Sequence, residues 1–414
     1  MYGSRGGSKG GLISDPRWLA GRALRCGCGG RRPRGSEVLL VSVVPPGIEE
    51  VAAREVSEVL GLPVHSISVG KVFFRASPRD VYRANYLLRT STRVLVVLAS
   101  TSFSTLKDIR DVASSLDYRE LLAPGRSFAV RAERVGDHGF TSVDVAREVG
   151  AAVIESYSSL TGVRPPVDLE NPDVVLRVLV RGDSMLVGVE TSGRSLHKRG
   201  YRVYNHPAAL NPVIAAAMVY SAGSPRTLLD PMCGGATIPI EFVHIRRRYP
   251  TALFRRDFAF RRLGMYEPEV DRDVLEELVN SIDMESPVEA YCIDISWKAV
   301  EGAKANLASS YTSDAIRLVE GDSTKASTHP RVDVDSVVSN PPYGYRSHNI
   351  RKIESFYRKV LTSLKSSYPG ARAVMITVSH RQFTRAAEEA GVKVVGSTFV
   401  KHGGLLARIF RMVL

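Results

Sequence analysis

The chain has 414 residues, 44% of them hydrophobic, and carries a formal net charge of +13 at neutral pH. That length predicts two or three globular domains. The excess of Lys and Arg points to a polyanionic partner, nucleic acid first, and no apolar run is long enough for a membrane span.

Cys26, Cys28, Cys233 and Cys292 are too few for a disulfide framework and suit a reducing, cytoplasmic compartment. Cys26 and Cys28 lack the second Cys pair or nearby His that would complete a zinc site, so no metal is expected. Residues 1–36, rich in Gly, Arg and Ser, lack the apolar core of a signal peptide. They read as a disordered basic tail, with an arm that adds phosphate contacts as the alternative.

From residue 37 to 105 strands and helices alternate in a small α+β, ferredoxin-like pattern. Val38 to Val44 is a strand stopped by Pro45-Pro46-Gly47, and Ile48 to Leu60 is an amphipathic helix ended by Gly61. Val64 to Arg75 alternates as a single strand, Arg79 to Leu88 is helical, and Val94 to Leu98 is a buried strand. Residues 106–190 form a second small unit, with a strand at Phe128–Arg134 and a helix over Ser142–Leu160 with its N-cap at Ser142. A hairpin turning at Arg181-Gly182-Asp183-Ser184 closes it.

Residues 191–206 are a basic linker in which Arg194, Lys198, Arg199 and Arg202 surround Tyr201. The pattern suits a phosphate-tracking strip, or a solvated connector. His206-Pro207-Ala208-Ala209-Leu210-Asn211-Pro212 then opens an apolar helix.

Leu228-Leu229-Asp230-Pro231-Met232-Cys233-Gly234-Gly235-Ala236-Thr237 reads as a buried strand running into a small-residue loop and a helix start. Further strands end at Asp294 and at Gly321-Asp322, so three carboxylates sit at successive strand ends. Carboxylates there accept hydrogen bonds from a ribose diol and an adenine amine, and backbone donors at the helix start suit an anion. A nicotinamide fold would need G-x-G-x-x-G, whereas this loop has Gly only at 234 and 235. Residues 250–286 read as a charged insert, and Val392–Lys401 with Leu405–Val413 as a closing antiparallel hairpin.

Val337-Val338-Ser339-Asn340-Pro341-Pro342-Tyr343 is the second strand that breaks into a functional loop. An exocyclic base amine is a poor nucleophile because its lone pair is delocalised into the ring. The Asn340 side-chain oxygen and the Pro341 carbonyl can accept its two hydrogens and favour the pyramidal form. Tyr343 can stack on an extruded base. Cys233 lies in the other loop, which argues against Cys-mediated pyrimidine methylation. Arg346 and Arg351, just beyond, suit phosphates, or an exposed helix face.

With these motifs, and with Phe140-Thr141-Ser142…Ala146…Gly150 preceding them, residues 37–414 resemble the THUMP-containing RNA guanine-N2 methyltransferases. The resemblance implies an α/β fold: a C-terminal Rossmann-like seven-stranded methyltransferase sheet over 207–414, preceded by a ferredoxin-like domain (37–105) and a THUMP RNA-binding domain (106–190). It implies S-adenosyl-L-methionine as cofactor, with Asp230 under the methionine part, Asp294 at the ribose and Asp322 at the adenine. Pro231, Cys233, Gly234, Gly235, Ala236, Thr237, His206, Pro207, Leu210, Ile295, Ser323 and Asn340 complete that set. Asn340, Pro341 and Tyr343 are the implied catalytic residues. Arg194, Lys198, Arg199, Arg202, Arg346 and Arg351 are the expected RNA contacts. The implied partner is tRNA, gripped at its 3′ end, with no obligate protein partner.

Within the family the likeness is to enzymes that make N2-methylguanosine at position 6 of the acceptor stem. A sister group acting on guanosine 10 has Asp where this chain has Asn340, while ribosomal RNA guanine-N2 enzymes share Asn-Pro-Pro-Tyr. A DNA adenine-N6 methyltransferase and a non-catalytic RNA-binding relic remain as other classes.

Overall fold

Apolar runs cut short by Pro, Gly or Asp become strands, and residues 37–344 and 350–414, described by the computed structural model, build two seven-stranded sheets. The basic tail and Arg346 lie outside the described residues, as does the side chain of Arg351. The first half runs β1 (Val38–Val43), α1 (Glu49–Glu55), β2 (Val64–Ser68), β3 (Lys71–Ala76), α2 (Pro78–Leu87) and β4 (Arg93–Ser102). The single strand expected from Val64 to Arg75 is instead the β2–β3 hairpin, because Gly70 takes φ 73° and reverses the chain. This order, β-α-β-β-α-β, is ferredoxin-like.

There follow α3 (Leu106–Ser114), β5 (Phe128–Val135), α4 (Ser142–Thr161), β6 (Val174–Arg181) and β7 (Ser184–Glu190). Thr141, not Ser142, caps α4: its Oγ1 accepts the Asp144 N–H at 3.2 Å, and Asp144 accepts the Thr141 N–H at 2.8 Å. The two small units share one sheet, ordered β2-β3-β1-β4-β7-β6-β5. β4 joins them, pairing with β1 through Arg93–Val96 and with β7 through Leu95–Ser102.

The second half carries α5 (Pro212–Ser221), β8 (Thr227–Asp230), α6 (Thr237–Arg246), α7 (Pro268–Asn280), β9 (Glu289–Asp294), α8 (Trp297–Ser309), β10 (Ile316–Glu320) and β11 (Ser336–Ser339). It ends with α9 (Ile350–Ser367), β12 (Arg372–Thr377), α10 (His380–Glu389), β13 (Lys393–His402) and β14 (Leu405–Val413). The sheet is ordered β10-β9-β8-β11-β12-β14-β13, with β14 antiparallel to both neighbours. This is the Rossmann-like α/β arrangement. β8 lies between β9 and β11, so the chain switches direction across the sheet there and leaves a crevice at the carboxyl ends of these strands.

The halves meet at a buried charge cluster. Glu241 of α6 accepts Arg89 Nη1 at 2.9 Å, Arg199 Nε at 3.0 Å and the Tyr201 hydroxyl at 2.8 Å. Burial alone would raise this carboxyl, but the Arg199 and Arg89 guanidiniums outweigh it and hold Glu241 down to about 2. Arg199 and Tyr201 are therefore interior residues, which corrects their expected place on a phosphate strip. Arg202 is half-buried and donates to the Leu210 carbonyl and Thr237 Oγ1, both at 2.9 Å. Arg194 and Lys198 are exposed.

The charged insert also bridges the halves. Phe258 and Phe260 stack with centroids 5.3 Å apart, and Tyr86 of α2 meets Phe258 edge-on at 5.0 Å. The Tyr86 hydroxyl donates to Asp271 of α7, which also accepts Arg261 Nε at 2.9 Å.

Glu241→Gln leaves two buried guanidiniums without their counter-charge. It should lose about 3–5 kcal/mol in denaturant unfolding. In the wild type the Glu241 contribution should be full above the ordinary value of 4.5 and vanish as pH falls through about 2.

Candidate active site

The crevice opens into a cavity of about 490 Å³, within the usual range for a small-molecule site. Its floor is the turn between β8 and α6. Gly234 takes φ 53°, and a Cβ there would stand 3.2 Å from the His206 ring, so the chain needs glycine where His206 closes over it. Ala236 takes φ 60° as the N-cap of α6 and gives no side-chain cap, which leaves the first-turn N–H groups of that helix to a ligand.

Each carboxylate is anchored to backbone. Asp230 is 2% exposed and accepts Ser339 Oγ at 2.7 Å and the Met232 N–H at 3.2 Å, tying the end of β8 to the end of β11. Burial raises its carboxyl to about 7. Asp294 accepts the Gly234 N–H and the Ser296 N–H, each at 2.9 Å. Asp322 accepts the Thr324 hydroxyl at 2.7 Å and its N–H at 3.0 Å, and these bonds lower its carboxyl.

Asn306 of α8 is a positioning residue that no motif announces. Its Oδ1 accepts the N–H groups of Val203 and Tyr204 at 3.0 and 2.8 Å, while its Nδ2 donates to the Gly235 carbonyl at 2.9 Å. A buried Asn inside a helix is the signal that sequence reasoning passed over. Cys233 and Cys292 form a disulfide, with Cα atoms 5.5 Å apart across 59 residues, which overturns the expectation of free thiols. Pairing of β8 with β9 sets Cys292 opposite Asp230, so the loop that follows Asp230 brings Cys233 onto it.

The catalytic turn is braced on several sides. Asn340 Nδ2 donates to the Ala208 carbonyl at 3.2 Å, and the Tyr343 hydroxyl donates to Asn340 Oδ1 at 2.6 Å. The Tyr357 hydroxyl holds the Pro342 carbonyl at 2.8 Å, and Ser379 Oγ holds the Tyr343 carbonyl at 2.7 Å. The side-chain oxygen of Asn340 is thereby fixed as an acceptor. Every residue expected to hold the cofactor lines this cavity except Ala236, which is buried beneath it. Pro341 and Tyr343 line it too, with Phe356 and His402, neither of which the motifs pointed to.

The groups present fit S-adenosyl-L-methionine: acids for the sulfonium, the diol and the adenine amine, and the N-terminus of α6, which has no side-chain cap, for the carboxylate. The Asp230 carboxyl is protonated below about pH 7, so affinity for a cationic cofactor should climb as pH rises through that value. Calorimetric titration of S-adenosyl-L-methionine on both sides of neutrality should show this climb in the wild type and less of it in Asp230→Asn. Cys292→Ser should cost up to about 4 kcal/mol of unfolding free energy by the chain-entropy account, read from urea unfolding against the oxidised wild type.

Comparison with known proteins agrees with this geometry. Residues 199–408 match the RMKL-like methyltransferase domain, residues 103–190 the THUMP domain and residues 40–95 the RlmL ferredoxin-like domain. The chain is 37% identical over 386 residues to the tRNA (guanine(6)-N2)-methyltransferase of Archaeoglobus fulgidus, covering 91% of this chain and 93% of that one. It is 34% identical over 379 residues to the enzyme of the same name from Methanocaldococcus jannaschii, covering 89% of this chain and 98% of that one. In fold it resembles SMU.472 solved in complex with SAH, at TM-score 0.80 and 22% identity over 91% of this chain and 98% of that one. TrmN from Thermus thermophilus superposes at TM-score 0.68 and 24% identity over 91% of this chain and 99% of that one. A THUMP-bearing sheet joined to a cavity built for S-adenosyl-L-methionine, together with these likenesses, places the chain in the family of THUMP-containing, S-adenosyl-L-methionine-dependent methyltransferases.

Proposed function

We propose that the protein transfers a methyl group from S-adenosyl-L-methionine to the exocyclic N2 amine of a guanosine in tRNA, at position 6 of the acceptor stem. The observation that carries this reading is the clamped Asn340 amide at the wall of the cofactor cavity. The bound cofactor supplies an electrophilic methyl group. Asn340 Oδ1 keeps a lone pair beyond its bond to Tyr343, and the Pro341 carbonyl lies beside it in sequence; the prolines donate nothing. Such a corner accepts the two hydrogens of an amine and directs its lone pair outward. Positioning then supplies most of the rate, and no covalent bond to the protein is needed.

The names of the Archaeoglobus and Methanocaldococcus relatives favour tRNA and position 6. The Ribosomal RNA large subunit methyltransferase K/L of Cellvibrio japonicus is 26% identical, and the matched region spans 46% of it, which makes ribosomal RNA the second reading. A THUMP-bearing half favours RNA over DNA. Exposed Arg194 and Lys198 are candidate phosphate contacts, and Arg346 and Arg351 keep that role as a proposal from sequence.

Methyl transfer from labelled cofactor to unmodified tRNA transcripts, followed by nucleoside mapping, tests the reading. N2-methylguanosine at position 6 is the expected product, whereas transfer confined to ribosomal RNA or DNA would leave the chemistry and replace the partner. Asn340→Ala should reduce the single-turnover rate by about 100-fold or more with cofactor affinity retained. An unchanged rate would remove Asn340 from the mechanism.

A further inference from the structure

The amine-accepting turn does not by itself tell one purine from another, since guanine and adenine both present an exocyclic amine. A second contact has to read the base. The tip of the β13–β14 hairpin brings His402 to the wall of the cavity that Asn340, Pro341, Tyr343 and Phe356 also line. Its Nδ1 is buried with no hydrogen-bond partner among the described residues, and burial lowers the ring's proton affinity, which favours the neutral imidazole. An orphaned N–H inside a protein costs more than an orphaned lone pair. The proton therefore belongs on Nε2, and the ring offers a single donor.

The tip is held in place from the other half of the molecule. The Lys401 N–H bonds to the Pro46 carbonyl at 3.3 Å. Gly47, at φ 106°, lies so close beneath β13 that a Cβ would stand 1.8 Å from the Phe399 carbonyl oxygen. The loop after β1 thus fixes where His402 meets the cavity.

We propose that His402 is the base-reading residue of this site, its Nε2–H donating to O6 of the guanine whose N2 amine faces Asn340 and Pro341. Adenine turned so that its single amine faces Asn340 presents C2–H where guanine has O6, so the donor loses its acceptor and that base is disfavoured. The assignment rests on the guanine-N2 reading above.

The test uses the full chain and transcripts in which the methylated guanosine is replaced by 2-aminopurine riboside, which keeps the amine and lacks O6. The ratio of kcat/KM for guanosine over 2-aminopurine should fall at least about 10-fold in His402→Ala and recover in His402→Gln, which restores an N–H donor. Affinity for S-adenosyl-L-methionine should change far less than this ratio in both. His402→Phe, which fills the space without a donor, gives the same readout if the alanine variant does not fold. Gly47→Val, which pushes the tip away, should lower the ratio as well. A ratio equal to that of the wild type in His402→Ala and His402→Phe would overturn the proposal. Failure of the wild type to form N2-methylguanosine in any tRNA would overturn the guanine reading itself, and shows before any variant is compared.

Discussion

A carboxylate sealed inside a protein has to be met by opposite charge, and Glu241 meets that demand with groups from two other parts of the chain. Arg89 follows α2 of the first half, Arg199 and Tyr201 belong to the linker, and Glu241 itself stands on the helix that begins under the cofactor loop. Each partner is a fixed fork or a single hydroxyl, so the arrangement tolerates little rotation. The THUMP-bearing half and the catalytic half are consequently set at one angle, and the Phe258–Phe260 insert reinforces it.

The cavity follows the same logic on a smaller scale. Its acids are spent partly on the protein's own N–H groups, which holds the floor in shape before any ligand arrives. Asp294 grips Gly234, Asn306 grips Gly235, and the disulfide fastens Cys233 to β9. Preformed donors and acceptors of this kind cost no reorganisation when a cofactor enters or a methyl group moves.

Much of this was legible in the sequence because strands that end in Asp, Pro or Gly announce both their burial and their loops. Asp230, Asp294 and Asp322 could be placed at successive strand ends, and the structure gathers them round one cavity. What failed to show has physical reasons. Arg199 and Tyr201 looked solvated because a basic run gives no sign that a buried acid on another element awaits it. α10 has a narrow apolar face, Phe383, Ala386 and Ala387, too sparse to stand out. The β2–β3 reversal hangs on one glycine inside an otherwise regular alternation. The Cys233–Cys292 bond depends on strand neighbours 59 residues apart, and His402 acquires meaning only when a hairpin tip is seen beside Asn340.

The order of residues in the charge cluster has a bearing on biosynthesis. Arg89 and Arg199 are translated before Glu241, and β7, which completes the first sheet through β4, is finished before the linker begins. The first half can therefore close while the second is still emerging. When α6 leaves the ribosome, its acid finds both cations already in place and is never left alone in the interior. A catalytic domain made without residues preceding it would have no such welcome: it would carry a buried carboxylate deprived of Arg89, and would be expected to misfold rather than to work as an isolated enzyme.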